Sequence, residues 1–372
     1  GNGGRLGVRA AYMLIRNLAD VQGLSVKIGR QYVVFGNHSL FGHFDWANTG
    51  YSHDGVMFAY QTKNWDSYFG WFRNSESDLG QASPVGSGAP NIAGSGAQDA
   101  NRDADMFIFY NQIKMVPGMV IEPFYVLYQN RYGSADFAGQ GLGTAKHSNQ
   151  TRHMVGNRIE MRKGGFDFSN EIAYQFGQMG QAGACVGEQK CLHINAWATR
   201  NWIGYTFYDT AWKTRLAFNL DYASGDSRNN TCTNGSNCKT ANTFENFFPT
   251  NHIHMGYMDV QAWKNMLSPS VNLQARPSAR DHIELWYTNL NLANSKDCWY
   301  RAAQGCYVFS NANNTKTHIG DEIDVSYTRM FADGKVALQT TYGTIFSGGY
   351  LTSTLNQTQN QHWAYMSLWM NF

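Results

Sequence analysis

The chain has 372 residues, of which 43% are hydrophobic and 15% aromatic but only 15% charged, with a formal net charge of +2 and a mean hydropathy of −0.44. So balanced a charge, without any Lys/Arg cluster, excludes nucleic acid or an anionic membrane surface as the organising partner. The most apolar stretch, MVPGMVIEPFYVLY at 115–128, is interrupted by Pro and Glu; this excludes a spanning helix, so a membrane protein made from this chain has to be a closed barrel.

Glycine and proline are spread along the chain without a linker-like tract, and residues 1–372 read as a single domain. There is no initiator Met, charged n-region or apolar h-region at Gly1, so an export signal is expected to have been removed or to lie upstream. Period-2 alternation predicts strands at 5–16, 23–36, 53–64, 65–77, 104–115, 119–132, 151–163, 166–179, 192–204, 209–223, 268–278, 281–293, 317–331, 334–347 and 360–372. Most run for about a dozen residues, enough to cross a bilayer when tilted.

The connections alternate in length. MVPG, KGG, RPSA and FADGK are tight, whereas 78–103, 134–150, 224–267, 294–316 and 348–359 are long and polar. Short turns on one side and long loops on the other are the organisation of an outer-membrane barrel. The reading is therefore all-β: a transmembrane antiparallel β-barrel in the outer membrane of a Gram-negative bacterium. Closing such a barrel with its last strand ending in the periplasm takes an even number of strands, so the fifteen counted imply one to three more upstream and about 16–18 in all.

Strand faces are clearest in the middle of the chain. In FDFSNEIAYQFG, Phe168, Ile172, Tyr174 and Phe176 oppose Asp167, Ser169, Glu171 and Gln175; in 319–328, Ile323, Val325 and Tyr327 oppose Glu322, Asp324 and Ser326. A soluble sandwich would show the same alternation. Strand length, loop asymmetry and aromatic residues near strand ends (Trp65, Tyr132, Tyr205, Tyr208, Trp212, Trp363) favour the barrel, where they form interfacial girdles. The last residues, HWAYMSLWMNF, place Ala364, Met366, Leu368, Met370 and Phe372 on one purely apolar face. The terminal Phe372 resembles the C-terminal signal read by the outer-membrane assembly machinery.

The six cysteines form close pairs in polar stretches, Cys185 with Cys191, Cys232 with Cys238 and Cys298 with Cys306. None has the CxxC spacing of a zinc or redox site, and they read as three local disulfides made in an oxidising compartment.

The stretches VKIGRQYVVFGN (26–37) and FDWANTGYSHDGV (44–56), then DYASGD (221–226), NTFENFFPTNHIHMGYMD (242–259), WKN (263–265) and GDEIDVSYT (320–328), resemble blocks of the alginate export family of outer-membrane barrels. The resemblance runs from about residue 12 to the end. It implies a monomeric, porin-like barrel of about eighteen strands with a charged lumen that passes a hydrophilic solute or an anionic polysaccharide.

Charged residues on inward parities are the candidates for selectivity: Arg152, Arg158, Arg162, Arg215 and Arg276 on the positive side, and Glu171, Asp221, Glu284, Glu322 and Asp324 on the negative. Arg30 joins them, although it shares its parity with Ile28 unless a bulge intervenes at Gly29. Facing lipid, a charge near the midplane would cost about 2–4 kcal/mol; facing the lumen it forms cross-strand pairs or sets selectivity.

Other readings rest on less. His252 and His254 in NHIHMG would suit a metal pair, but a polar loop explains them better. Ser224, Asp226 and His252 form no recognisable hydrolase motif, and there is no GxSxG, so no catalytic residues are assigned. No cofactor is required, although acidic, Asn-rich loops such as SGDSRNN would suit Ca²⁺. The alternatives to a channel are a barrel serving as a sheath around a periplasmic or other envelope protein partner, and an outer-membrane enzyme or adhesin using its loops.

Overall fold

Alternating side chains with tight turns make a meander, and the computed structural model shows one. It describes residues 8–44, 50–75, 104–130, 150–180, 191–226, 240–302, 306–308 and 313–371. Fifteen long strands follow in chain order: β1 (Ala11–Arg16), β2 (Leu24–Gln31), β3 (His53–Gln61), β4 (Trp65–Ser75), β5 (Ala104–Ile113), β6 (Met119–Asn130), β7 (Gln150–Lys163), β8 (Phe166–Gly180), β9 (Cys191–Thr206), β10 (Arg215–Ala223), β11 (Met266–Ser278), β12 (Asp281–Leu292), β13 (His318–Phe331), β14 (Val336–Ser347) and β15 (Gln361–Met370). Each pairs antiparallel with its sequence neighbours in one barrel wall; no ladder joins β1 to β15. The expected strands are all present, within a few residues at most ends.

The wall inverts the burial of a soluble sheet. On β8, Ile172, Tyr174 and Phe176 are exposed while Glu171, Ala173 and Gln175 are buried; on β10, Leu216, Phe218 and Leu220 are exposed while Ala217, Asn219 and Asp221 are buried. On β13, Val325 and Tyr327 face out and Glu322, Asp324 and Ser326 face in. An apolar outer face is stable only in hydrocarbon, and the ladders between neighbouring strands satisfy the backbone there. The final strand continues the pattern, with Met366, Leu368 and Met370 exposed; Phe372 lies outside the described residues.

Tight turns lie at one end of the wall. Between β7 and β8 only Gly164 and Gly165 intervene, with Gly164 at φ +60°, the left-handed geometry that a two-residue hairpin requires. Trp65, Tyr205, Tyr208 and Trp212 are exposed at this end, joined by Phe166 and Phe331, as an aromatic girdle. Trp363 does not belong to a girdle. It turns inward, with its ring 4.8 Å from Tyr365 and 6.0 Å from His252. Tyr132 lies outside the described residues.

The long loops do not simply stand above the wall. Residues 32–44 and 242–265 fold into the barrel, where Phe35, Phe41, Phe244, Phe247, Met255 and Trp263 are buried against inward residues of β4–β7, among them Phe72, Met106, Ile108, Tyr110, Phe124 and Met154. The Phe35 ring stacks on Tyr110 at 4.3 Å, and Tyr110 in turn on Phe124 at 5.7 Å. Each buried aromatic contributes about 1.5–3 kcal/mol, which fixes both loops in place. The inner face of β4–β7 is thus largely apolar at the loop end, because protein rather than water fills that part of the lumen.

A small lobe stands at the loop end beside β12–β14. A two-stranded ribbon, Trp299–Tyr300 with Cys306–Val308, is closed by the Cys298–Cys306 disulfide, and the short helix Gly349–Thr354 packs Tyr350 and Leu351 near Trp299, Leu290 and Ile319. This is one of the three expected disulfides. Cys185, Cys232 and Cys238 lie outside the described residues, and the side chain of Cys191 is not described.

Candidate functional site

Beneath the inward loops, at the turn end, is a chamber of about 630 Å³. Inward positions of β7–β12 line it, and Asn37 and His254 from the two loops form its roof. Six cationic side chains, Arg158, Arg162, Arg200, Lys213, Arg215 and Arg276, face two carboxylates, Glu160 and Asp167.

Cross-strand register decides which charges are already paired. Arg158 lies opposite Glu122 and Glu171, and its Nη1 is 2.5 Å from Glu122 Oε2, while Nη2 bonds Glu160. Arg162 Nη2 is 2.9 Å from Glu160 Oε1. Arg215 makes a forked pair with Asp167, at 2.9 and 2.5 Å, and its guanidinium lies 4.6 Å from the centroid of the Trp202 ring. Arg200 and Asp221 form a buried fork, both contacts at 2.9 Å. Lys213 and Arg276 have no ion pair among the described residues, so the wall keeps a positive excess facing the solvent of the chamber.

The roof is a two-loop latch. His254 Nε2 is 2.5 Å from the Asn37 carbonyl oxygen, which fixes this nitrogen as the protonated donor because a carbonyl only accepts. Burial, then the nearby Arg200, holds the imidazole well below the usual histidine range. Ser39 donates to the buried Glu171.

Opposite, on β12 and β13, the carboxylates anchor backbone. Tyr257 N–H donates to Asp324 Oδ2 at 3.2 Å and Met258 N–H to Glu322 Oε1 at 2.9 Å. Gly256 makes this approach possible: its φ is +88°, and a Cβ there would lie 2.4 Å from Glu322 Oε1. Glu284 accepts from Asn272, Gln274 and the Tyr257 hydroxyl. On the β8 side, Gln175 exchanges two hydrogen bonds with the Glu245 backbone, and Lys264 closes the loop on itself through Glu245 at 2.7 Å.

The expected selectivity residues therefore divide into groups. Arg158, Arg162, Arg215 and Arg276 meet in the chamber. Glu171, Glu284, Glu322 and Asp324 hold the inward loops, and Asp221 sits behind Arg200. Arg152 faces the lumen but is 1% exposed, bonded to Gln150 and Gln175 beneath the loop, and does not line the chamber. Arg30 faces outward on the parity of Ile28, paired with Asp54 at 2.6 Å near the loop end of β2; Gly29 does not shift it to the lumen.

Lys213 shares the inward parity of Arg215, but Arg200 was not singled out from sequence. The inward row of β9 is Leu192, Ile194, Ala196, Ala198 and Arg200, and its outward row contains His193, Asn195 and Asn201. Hydropathy reads that strand inside out near its loop end, so the signal that works elsewhere points the wrong way here.

His252 and His254 do not converge. His252 Nδ1 contacts Asp259 at 3.0 Å, whereas His254 reaches Asn37. Ser224 Oγ donates to the Asn242 carbonyl, and no triad is assembled with His252. Among the described residues no group of three or more His, Cys, Asp or Glu side chains is arranged to hold a metal ion; SGDSRNN lies mostly outside them.

The profile of the alginate export family matches residues 4–365. A comparison with curated protein sequences finds no match. Among solved structures, Pseudomonas aeruginosa OccK11 (OpdR) is similar with a TM-score of 0.51 at 9% identity, over 94% of this chain and 78% of that one. OccD3 (OpdP) of the same organism also has a TM-score of 0.51, at 11% identity, over 94% and 74%. At such identities the likeness concerns the fold alone. The family match over nearly the whole chain and the lipid-facing barrel agree with each other: the chain belongs to the alginate export family and is an outer-membrane β-barrel channel.

Proposed function

We propose that this channel passes hydrophilic anions, of the size and chemistry of carboxylated saccharides, through the basic chamber. The observation that carries the reading is that, of the six cationic side chains around a chamber of about 630 Å³, Arg158, Arg162, Arg200 and Arg215 are paired with carboxylates while Lys213 and Arg276 are engaged in no ion pair among the described residues. Low-dielectric walls focus the field of such charges on whatever enters. The half-buried Trp202 and Trp286, 5.4 Å apart within the same lining, add flat surface against which a sugar ring can rest. The inward loops narrow the approach from the loop end, so passage depends on both the chamber and its roof.

Reversal potential in planar bilayers under a low-salt gradient tests the proposal. Lys213→Gln with Arg276→Gln is expected to shift selectivity towards cations and to weaken block by an oligouronate, with folding intact because neither removal strands a paired carboxylate. The effect should fade above physiological salt, where screening acts beyond about 8 Å. The parent's reversal potential in a folded double variant at low salt would overturn the reading.

A further inference from the structure

Another cavity, of about 320 Å³, opens against the inward face of β1–β4 and shares no lining residue with the basic chamber. Its size falls at the lower end of the range of small-molecule sites, about 300–1,000 Å³. Cross-strand register builds it. Leu14, Lys27 and Met57 lie side by side in one inward row, and Gly70, next in that row, leaves room because it has no side chain; Ser25, Ala59 and Tyr68 form the row nearer the turns. Val34 and Phe35, from the loop whose Asn37 roofs the chamber, complete the lining.

Two polar groups of this lining have no counterpart. Lys27 makes no ion pair among the described residues; its ammonium lies 4.1 Å from the centroid of the Tyr12 ring, a contact that holds the charge without neutralising it. Gln31 is fully buried. Its Nε2 faces the carbonyl oxygens of Lys27, Gly29 and Gly55 at 3.3, 3.2 and 3.3 Å, which fixes the orientation of the amide, since an oxygen turned that way would meet three acceptors. The other end, Oε1, is buried with no hydrogen-bond partner among the described residues. Buried acceptors are seldom left so, and a donor on a bound molecule would satisfy this one.

The remaining walls are apolar, and the Tyr68 hydroxyl is already engaged by Gln61 at 2.9 Å. An inorganic anion or a polyhydroxylated sugar would lose more hydrogen bonds to water than these walls return. The occupant that fits has an apolar body, an anionic group for Lys27 and a donor for Gln31 Oε1. That donor is a hydroxyl rather than an ammonium, because Lys27 repels a second cation.

We propose that this cavity binds compact hydroxy acids with an aromatic or branched aliphatic body, a class of solute unlike the one that suits the basic chamber. The inference does not depend on what passes through that chamber.

Calorimetric titration of the full chain in micelles with 3-phenyllactate, against empty micelles as the blank, tests it. Saturable binding is expected, several-fold weaker for 3-phenylpropionate, which lacks the hydroxyl, and for the methyl ester of phenyllactate, which lacks the charge. Lys27→Met should lower the affinity about tenfold, as the loss of one charged hydrogen-bonding partner does. Glucuronate should not compete. No saturable binding by the wild type, equal affinity for the three probes, or an unchanged affinity in folded Lys27→Met would overturn the proposal. So would complete displacement by glucuronate, since that places the probe in the basic chamber. Should Lys27→Met not fold, the probe comparison on the wild type and Ala59→Phe, which fills the cavity and should abolish binding, decide the matter.

Discussion

His254 bonds the carbonyl of Asn37 across 217 residues of sequence and thereby bolts one inward loop to the other above the chamber. Burial and Arg200, with Arg158 and His38 also nearby, keep this imidazole neutral, its pKa depressed well below the usual value. Protonation therefore favours states in which His254 has left its site. The latch is at full strength above about pH 6.5 and weakens as pH falls below it, by about 1.4 kcal/mol per pH unit until the depressed value is reached. Single-channel conductance is expected to rise, with more flicker, between about pH 7.5 and 5. His254→Gln should flatten that dependence. A wild-type conductance that does not change over this range would show that the latch does not restrict the path.

Glu322 and Asp324 receive backbone N–H groups from Met258 and Tyr257, so their neutral amide replacements should act on the loop more than on selectivity. Glu322→Gln with Asp324→Asn is expected to raise protease sensitivity within 250–265 and to increase current noise. A clean anion-ward shift in reversal potential, with the loop as resistant as in the parent, would mean that these carboxylates face permeating ions directly.

The terminal strand allows a test of parity at adjacent residues. Met366 is 71% exposed on the outward face, whereas Ser367 points inward. Met366→Arg should reduce the heat-modifiable folded band, at a cost of about 2–4 kcal/mol near the midplane and less towards the rim. Ser367→Arg should assemble better than Met366→Arg. The reverse order would contradict the assigned faces.

The Cys298–Cys306 bond closes a ribbon of the loop-side lobe and not the wall. Cys298→Ala with Cys306→Ala is expected to destabilise that lobe by about 2–3 kcal/mol. Hydrogen exchange should quicken around 298–308 and the helix Gly349–Thr354 while the β7–β10 amides remain protected. Loss of protection throughout the wall would make the lobe part of the barrel's cooperative unit.

Legibility from sequence follows from how far each signal travels along the chain. Strands and tight turns are local, and alternation in β8 and β13 revealed their faces because one side meets lipid and the other a polar lumen. The inward folding of 32–44 and 242–265 is not local. Nothing in NTFENFFPTNHIHMGYMD distinguishes a loop standing in water from one whose aromatics fill a barrel. That missed burial made Arg152 look like a pore residue. The basic residues of the chamber were found where wall and water meet without an intervening loop; Arg200 was missed in a row otherwise made of Leu, Ile and Ala.

The contacts that narrow the lumen join residues very distant in sequence: Ser39 with Glu171 across 132 positions, and Phe44 N–H with Thr250 across 206. The wall, in contrast, is built almost entirely from hairpins between consecutive strands. Closing a long loop costs entropy before its contacts can repay it, so hairpins zip early and distant docking comes late. A newly inserted barrel is therefore expected to complete its wall before the aromatic loops dock, and until they do its pore would be wider and less discriminating than the mature one, for a time set by how quickly two loops find each other inside the barrel.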